Sequence, residues 1–386
     1  MNSAPLPASG GHGFVSADDH VVEAADVWTS RMSKSRWGDR IPRIADLADG
    51  SQQWVIDGQP LPLRLASLAG AMQPDRTLEP RRWDEFDPAV FRAEARLGSM
   101  DADGTSHAVL YPTVAGLAGG TFGRMRDAAL ELACVQAYND WLVEEWAGVS
   151  KRFIPQCIVP LGPVDAMVTE IRRAVNIGHR GVVFPMFPQL LRDVPHINDP
   201  AYDALWATCQ ELAAPLCLHA GASDEMQYPA DPTLSPVLTD ALDAITRPLS
   251  SISGVSNLLI SGILSRFPGM KVVFAESTFG WAQFVLETAD YHHGTFQLGK
   301  QGYDLMPSDL FKRQCYLTSW YDRTGLKHSV EQIGAGNLLW SSNFPQATSR
   351  WPDSRSTSLA CFGDIAGPDR ERILRANALE LYRIEV

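Results

Sequence analysis

Leu338-Leu339-Trp340-Ser341-Ser342-Asn343-Phe344-Pro345-Gln346 is the stretch on which the reading of the fold turns. Its apolar start reads as a short buried strand, 338–342, that delivers Asn343 to whatever lies beyond its C-terminal end. Seven earlier runs share that character: 14–18, 107–112, 153–160, 181–184, 215–219, 271–276 and 314–319. Helical periodicity over 124–146, 165–176, 201–212, 254–266, 281–291 and 326–333 fills most of the intervals. Gly178 and Pro268-Gly269 serve as stop signals after two of these helices. Runs such as Val182-Val183-Phe184 are continuously apolar, as expected of a parallel sheet covered by helices. Eight β–α units predict an α/β fold of the (β/α)8 TIM-barrel type. An open doubly wound sheet is the alternative, but no Gly-x-Gly-x-x-Gly follows a strand.

The 386 residues, 45% of them apolar, suffice for one barrel-sized domain over 14–386, preceded by a flexible tail over 1–13. Residues 40–100 read as an insertion after the first strand. Within it Gln53-Trp54-Val55-Ile56-Asp57-Gly58-Gln59-Pro60 predicts a hairpin turning at Asp57-Gly58. A net charge of −12 argues against nucleic acid or an anionic membrane surface as partner. No apolar run reaches the roughly 18–20 residues of a membrane span. The six cysteines form no Cys-x-x-Cys pair, which fits reduced, buried thiols in a cytoplasmic protein.

A barrel places its chemistry at the C-terminal ends of its strands. The first run ends in Asp18-Asp19-His20-Val21-Val22-Glu23, where alternation puts Asp18 and His20 on one side and Asp19 on the other. The fifth ends at His219, the sixth at Glu276 and the eighth at Asn343. Each has an ordinary alternative: Asp18 or Asp19 as a helix cap, Glu276 as an acceptor for turn amides. As a set, two imidazoles, three carboxylates and an amide oxygen converge on one mouth, a donor mixture suited to iron, manganese or zinc. His292, behind the 281–291 helix, is a further candidate, with a helix-end cation as its ordinary reading. His107, at the start of the second run, reads as structural, and His179 and His196 lie in loops with no recognisable spacing. Residues 222–248 read as a lid or substrate wall.

The motifs also carry a resemblance. Ser16-Ala17-Asp18-Asp19-His20-Val21-Val22-Glu23, Val27-Trp28-Thr29-Ser30-Arg31, Met100-Asp101-Ala102-Asp103-Gly104, Ala137-Tyr138-Asn139-Asp140-Trp141, Leu218-His219-Ala220-Gly221 and Glu276-Ser277-x-x-Gly280-Trp281 resemble, in order, those of amidohydrolase-related TIM-barrel metalloenzymes common in actinobacteria. The resemblance runs from Phe14 to the C-terminus. The wider superfamily is mostly metal-dependent hydrolases and decarboxylases, whose last strand presents Ser/Cys-Asp-Phe/Tyr-Pro-His. Here Asn343 and Gln346 replace the aspartate and the histidine.

The chain is similar also to a branch of non-haem diiron monooxygenases, typified by the one that hydroxylates a diterpenoid in platensimycin and platencin biosynthesis. That resemblance implies two Fe ions with O2 as co-substrate, an electron donor system and a bulky apolar acyl substrate, diterpenoid-type and linked to coenzyme A. It implies Asp18, His20, Glu23, His219, Glu276 and Asn343 as the pool of metal ligands. Arg31, Arg36, Arg40, Arg81 and Arg82 are then candidates for the phosphates of the coenzyme, with a solvated face as the alternative. A homo-oligomer is compatible with all of this.

Asn343 weighs on the chemistry. An amide donates an oxygen to a metal but takes no proton from water, so metal-assisted hydrolysis would need another base. Oxygen activation by a metal pair tolerates a neutral ligand. The sequence therefore favours the monooxygenase, with a metal-dependent hydrolase or decarboxylase using one or two Zn or Mn ions as the alternative.

Overall fold

A computed structural model describes residues 13–61, 70–72, 81–223 and 233–385. The expected tail lies outside them except for Gly13. Eight parallel strands form one sheet in the order β1 (Phe14–His20), β5 (Thr105–Tyr111), β6 (Phe153–Ile158), β7 (Gly181–Phe184), β8 (Leu216–His219), β9 (Val272–Ala275), β10 (Cys315–Ser319) and β11 (Leu338–Trp340). The regular ladder runs from β1 to β11. Two backbone bonds then join its ends, from the Asn343 N–H to the Asp18 carbonyl (3.1 Å) and from the His20 N–H to the Phe344 carbonyl (2.7 Å). The sheet is thereby closed into a (β/α)8 barrel.

Alternation along these strands divides the core. Val183, Cys217, Val273 and Leu339 belong to one packed cluster, and their neighbours Val182, Leu216, Val272 and Leu338 pack with the helical residues Ile171, Trp206 and Leu258 in another. Both sides of each strand are thus apolar, which is why the runs look continuous in sequence. On β8, the period of two places His219 on the same side as Cys217.

The hairpin forms as expected, with β3 (Gln52–Ile56) and β4 (Gln59–Pro60) antiparallel around Asp57 and Gly58. Both turn residues have positive φ (52° and 74°), the requirement that favours Asp-Gly. Strand β2 (Arg43–Asp46) adds a third member. Trp54 is buried edge-on against Trp28 (5.3 Å) and Trp83 (5.8 Å), inside the same cluster as β1 and β5. The helix Ala93–Asp103 follows and packs ahead of β5, ending at Gly104 with φ 77°. It lies in the stretch assigned to the insertion, because its buried positions are Ala93, Arg96, Met100 and Asp103 rather than an aliphatic stripe.

The expected 254–266 helix is two, Pro248–Ile260 and Ile263–Arg266, broken at Gly262 (φ 78°). Ala128–Leu142 begins where the Asp127 carboxylate accepts the N–H groups of Ala129 and Leu130. Among the described residues no helix is long and apolar enough to cross a membrane.

Candidate metal centre

β1 and β8 bring three side chains together. His20 Nε2 lies 3.5 Å from Asp18 Oδ1, His219 Nε2 lies 3.6 Å from the same oxygen, and the two Nε2 atoms are 3.3 Å apart. All three residues are fully buried. The other nitrogen of each ring faces a carbonyl: His20 Nδ1 that of Pro112 (3.2 Å), His219 Nδ1 that of Ala220 (2.8 Å). A carbonyl can only accept, so each Nδ1 carries the hydrogen and each Nε2 presents a lone pair. Asp18 Oδ2 accepts from the Glu276 N–H (3.0 Å) and the Thr318 hydroxyl (3.5 Å), whereas Asp18 Oδ1 has no hydrogen-bond donor.

Three acceptors with donor atoms within 4.8 Å of one another therefore face a common point with no donor between them. Among side chains buried this fully, that arrangement is repulsive unless a cation occupies it. The proton affinities express the same demand. Burial opposes charge on His219, but Asp18 raises its pKa above the usual imidazole value. Burial likewise pushes the Asp18 carboxyl up, yet the histidines hold it well below its usual range. Imidazole Nε2 with carboxylate is a donor set for a borderline divalent ion, and the Nδ1–H···O=C bonds fix the rings as metal-binding histidines are commonly fixed.

Asn343 completes this picture. Its Nδ2 donates to Thr348 Oγ1 (2.8 Å), while its buried Oδ1 has no partner. Asn343 and Glu276 both hold left-handed backbone (φ 54° each), unusual outside glycine and here adopted just past two strand ends.

Glu23, Glu276 and His292 do not join the cluster of Asp18, His20 and His219. Glu23 is buried under the loop after β5, where its carboxylate accepts the N–H groups of Thr113 (3.2 Å), Val114 (2.7 Å) and Ala115 (3.1 Å). Those donors occupy it, and it does not join the cluster of Asp18, His20 and His219. Glu276 turns toward Arg247, with Nη1 at 3.3 and 3.2 Å from its two oxygens, and lies 3.9 Å from His219 Nδ1. His292 is exposed in the last turn of Ala282–Thr295 and stacks on Phe296 at 5.6 Å. That helix runs back from the end of β9, so its last turn lies at the opposite end of the barrel from the cluster. Among the described residues, Asp18, His20 and His219 are the group of histidine, cysteine and acidic side chains gathered closely enough to hold a metal ion.

Glu276 is also the link to the outside. It lines a cavity of about 710 Å³ walled by Ile245, Pro248, Trp320, Tyr321 and Arg350. Ile245 and Pro248 come from the 222–248 stretch read as a substrate wall; residues 224–232 of it lie outside the described residues. Arg247 was missed in the sequence. Its signal was isolation: no other lysine or arginine stands between Arg192 and Arg266. Four of the five arginines considered for phosphates are paired with acids, Arg31 with Glu144 and Glu145, Arg40 with Asp57 and Asp127, Arg81 with Asp49, and Arg82 with Asp46 and Asp84. Arg36 lies over the Trp37 ring.

A closed (β/α)8 barrel with a histidine–carboxylate cluster at the C-terminal ends of its strands defines a class of metal-site barrels. The chain belongs to the amidohydrolase family, whose model matches residues 48–384. Gamma-resorcylate decarboxylase of Rhodococcus jostii (strain RHA1) is 25% identical over 281 residues, covering 67% of this chain and 79% of that one. An amidohydrolase of Mycobacterium avium subsp. paratuberculosis K-10 superposes with a TM-score of 0.76 at 22% identity, over 96% of this chain and 99% of that one. A dihydroxybenzoic acid decarboxylase of Polaromonas sp. JS666, solved with manganese and 2-nitroresorcinol, gives 0.65 at 18% identity, over 96% and 97%. The relatives support the alternative of a hydrolase or decarboxylase; none of them supports the two-iron oxygenase or its use of O2.

Proposed function

We propose that this protein is a metal-dependent decarboxylase acting on a small aryl carboxylate in the cavity above Glu276. The observation that carries the proposal is the neutral Asn343, whose backbone N–H donates to the Asp18 carbonyl and whose buried Oδ1 has no partner. A hydrolase must take a proton from water at the metal, and the amide cannot do so. Removal of CO2 needs no activated water, only a proton for the ring carbon, which a side chain other than Asn343 must supply. The named activities of the gamma-resorcylate and dihydroxybenzoic acid decarboxylases point the same way.

Asp18 Oδ1, His20 Nε2 and His219 Nε2 would hold the ion, with Asn343 Oδ1 as fourth donor. A divalent ion there supplies the positive charge that fixes substrate oxygens and draws electron density from the bond to be broken. Arg350, which lines the cavity, would set a positive charge there to orient an anionic substrate. Trp320, Tyr321 and Ile245 offer apolar walls to a planar ring. As the carbon–carbon bond breaks, its electron pair stays on the ring and the ring carbon takes a proton. Glu276 lines the cavity and lies 3.9 Å from His219 Nδ1, and it would hold that proton.

Elemental analysis of protein purified without added metal, beside a His219→Ala variant, tests the metal assignment. One divalent ion per chain, lost in the variant, is expected. Two irons per chain, or none, would overturn it.

A further inference from the structure

We infer that Arg96, together with Asp19, is a positioning device that sets the register between the two chain segments carrying the metal donors. The inference rests on the metal centre proposed above. Asp18 and His20 come from β1 and Asn343 follows β11, the two strands between which the regular ladder is absent and only two backbone bonds close the barrel. Donor spacing across that seam therefore depends on side chains.

Arg96 is fully buried on the helix Ala93–Asp103. Its Nη2–H donates to the carbonyl of His20 (2.8 Å) and its Nε–H to that of Ala89 (2.6 Å). The guanidinium lies over the ring of Phe344, 4.2 Å from its centroid, and Nη1 is 3.8 Å from Asp19 Oδ2. Asp19, pointing away from the cluster, accepts the hydroxyls of Ser16 (2.6 Å) and Ser342 (2.5 Å) on Oδ1. The Ser342 N–H in turn donates to Ser16 Oγ (2.8 Å). One buried network thus grips the backbone of His20, the residue before Asn343 and the residue after it. A buried guanidinium is costly, and an apolar side chain would fill the same space with less desolvation. Its contacts fall on the residues whose spacing decides whether His20 and Asn343 reach one ion. A planar, forked cation suits that task better than lysine's single ammonium.

Apo protein of wild type, Arg96→Lys, Arg96→Met and Ser342→Ala is titrated with Mn²⁺ and with Co²⁺, whose visible spectrum reports ligand geometry, and the unfolding temperature of each apo form is measured alongside. Arg96→Lys should bind metal about 10- to 100-fold more weakly, the usual effect of losing a group that orients ligands, with an altered Co²⁺ spectrum. Ser342→Ala, which keeps the guanidinium, should shift in the same direction by less. Wild-type affinity and spectrum in every variant that folds, with only the unfolding temperature reduced, would overturn the inference. If the Arg96 variants fail to fold, an unchanged Ser342→Ala does so alone. A wild type that binds no metal would instead refute the metal centre itself.

Discussion

Glu23→Ala separates a structural carboxylate from a ligand, and its cost can be worked from the structure. The substitution strands three buried N–H groups, those of Thr113, Val114 and Ala115. Each buried donor left without an acceptor costs about 1–3 kcal/mol, and taking the lower half of that range gives about 3–6 kcal/mol. An opposing effect depends on pH. Burial pushes the Glu23 carboxyl up to about 7, against the pull of the three N–H groups, so above that pH the wild type carries a desolvated charge that alanine would remove. A raised carboxyl pKa gives stability that is present below the unfolded value and lost as pH rises through the folded one. The full penalty should therefore appear at pH 4, below the ordinary value of 4.5, and shrink by up to about 3 kcal/mol at pH 8, the equivalent of roughly 2.5 pKa units. Denaturant unfolding of the apo protein at both pH values reads this difference. Metal content should be unchanged in whatever protein folds, because Glu23 is held away from the cluster. Near wild-type stability with loss of metal would refute the reasoning and return Glu23 to the ligand set.

Further outcomes follow from the same geometry. Asn343→Asp places a second carboxylate at the buried cluster, so it should lower the unfolding temperature of the apo protein and tighten Mn²⁺ binding by about tenfold or more; unchanged affinity would mean that Asn343 Oδ1 faces no metal. Metal affinity should weaken on acidification by about tenfold per pH unit for each proton displaced, beginning above the ordinary imidazole pKa because Asp18 raises that of His219; a titration of affinity against pH reads the onset. Trp54→Ala removes a buried ring packed on Trp28 and Trp83 and should cost about 3–5 kcal/mol in unfolding measurements while leaving metal content intact.

The barrel was legible because each strand is buried on both sides, leaving eight apolar runs whose ends could be read off directly. The hairpin was legible because positive φ at two consecutive residues leaves few choices besides Asp-Gly. The helix Ala93–Asp103 was not, since its buried face holds Arg96, a residue that sequence patterns assign to solvent. Within the site, Asp18, His20 and His219 followed from strand ends and alternation alone. Glu23 did not, because its direction is decided by the loop at 113–115, ninety residues away in sequence. Glu276 lies where expected but turns to Arg247, which arrives from the junction of the helices Pro236–Thr246 and Pro248–Ile260. The oxygenase reading finds no support in the relatives named above, and of the six candidates it drew on, Asp18, His20 and His219 are gathered at one point among the described residues.

Release of ¹³CO2 from carboxyl-labelled 2,6-dihydroxybenzoate, followed without oxygen on protein loaded with Mn²⁺ or Zn²⁺, tests the central claim most directly. The account predicts turnover under nitrogen that stops on chelation and is lost in His219→Ala. Metal-loaded protein that leaves this and related hydroxybenzoates intact under nitrogen, yet consumes oxygen with an acyl substrate, would contradict it.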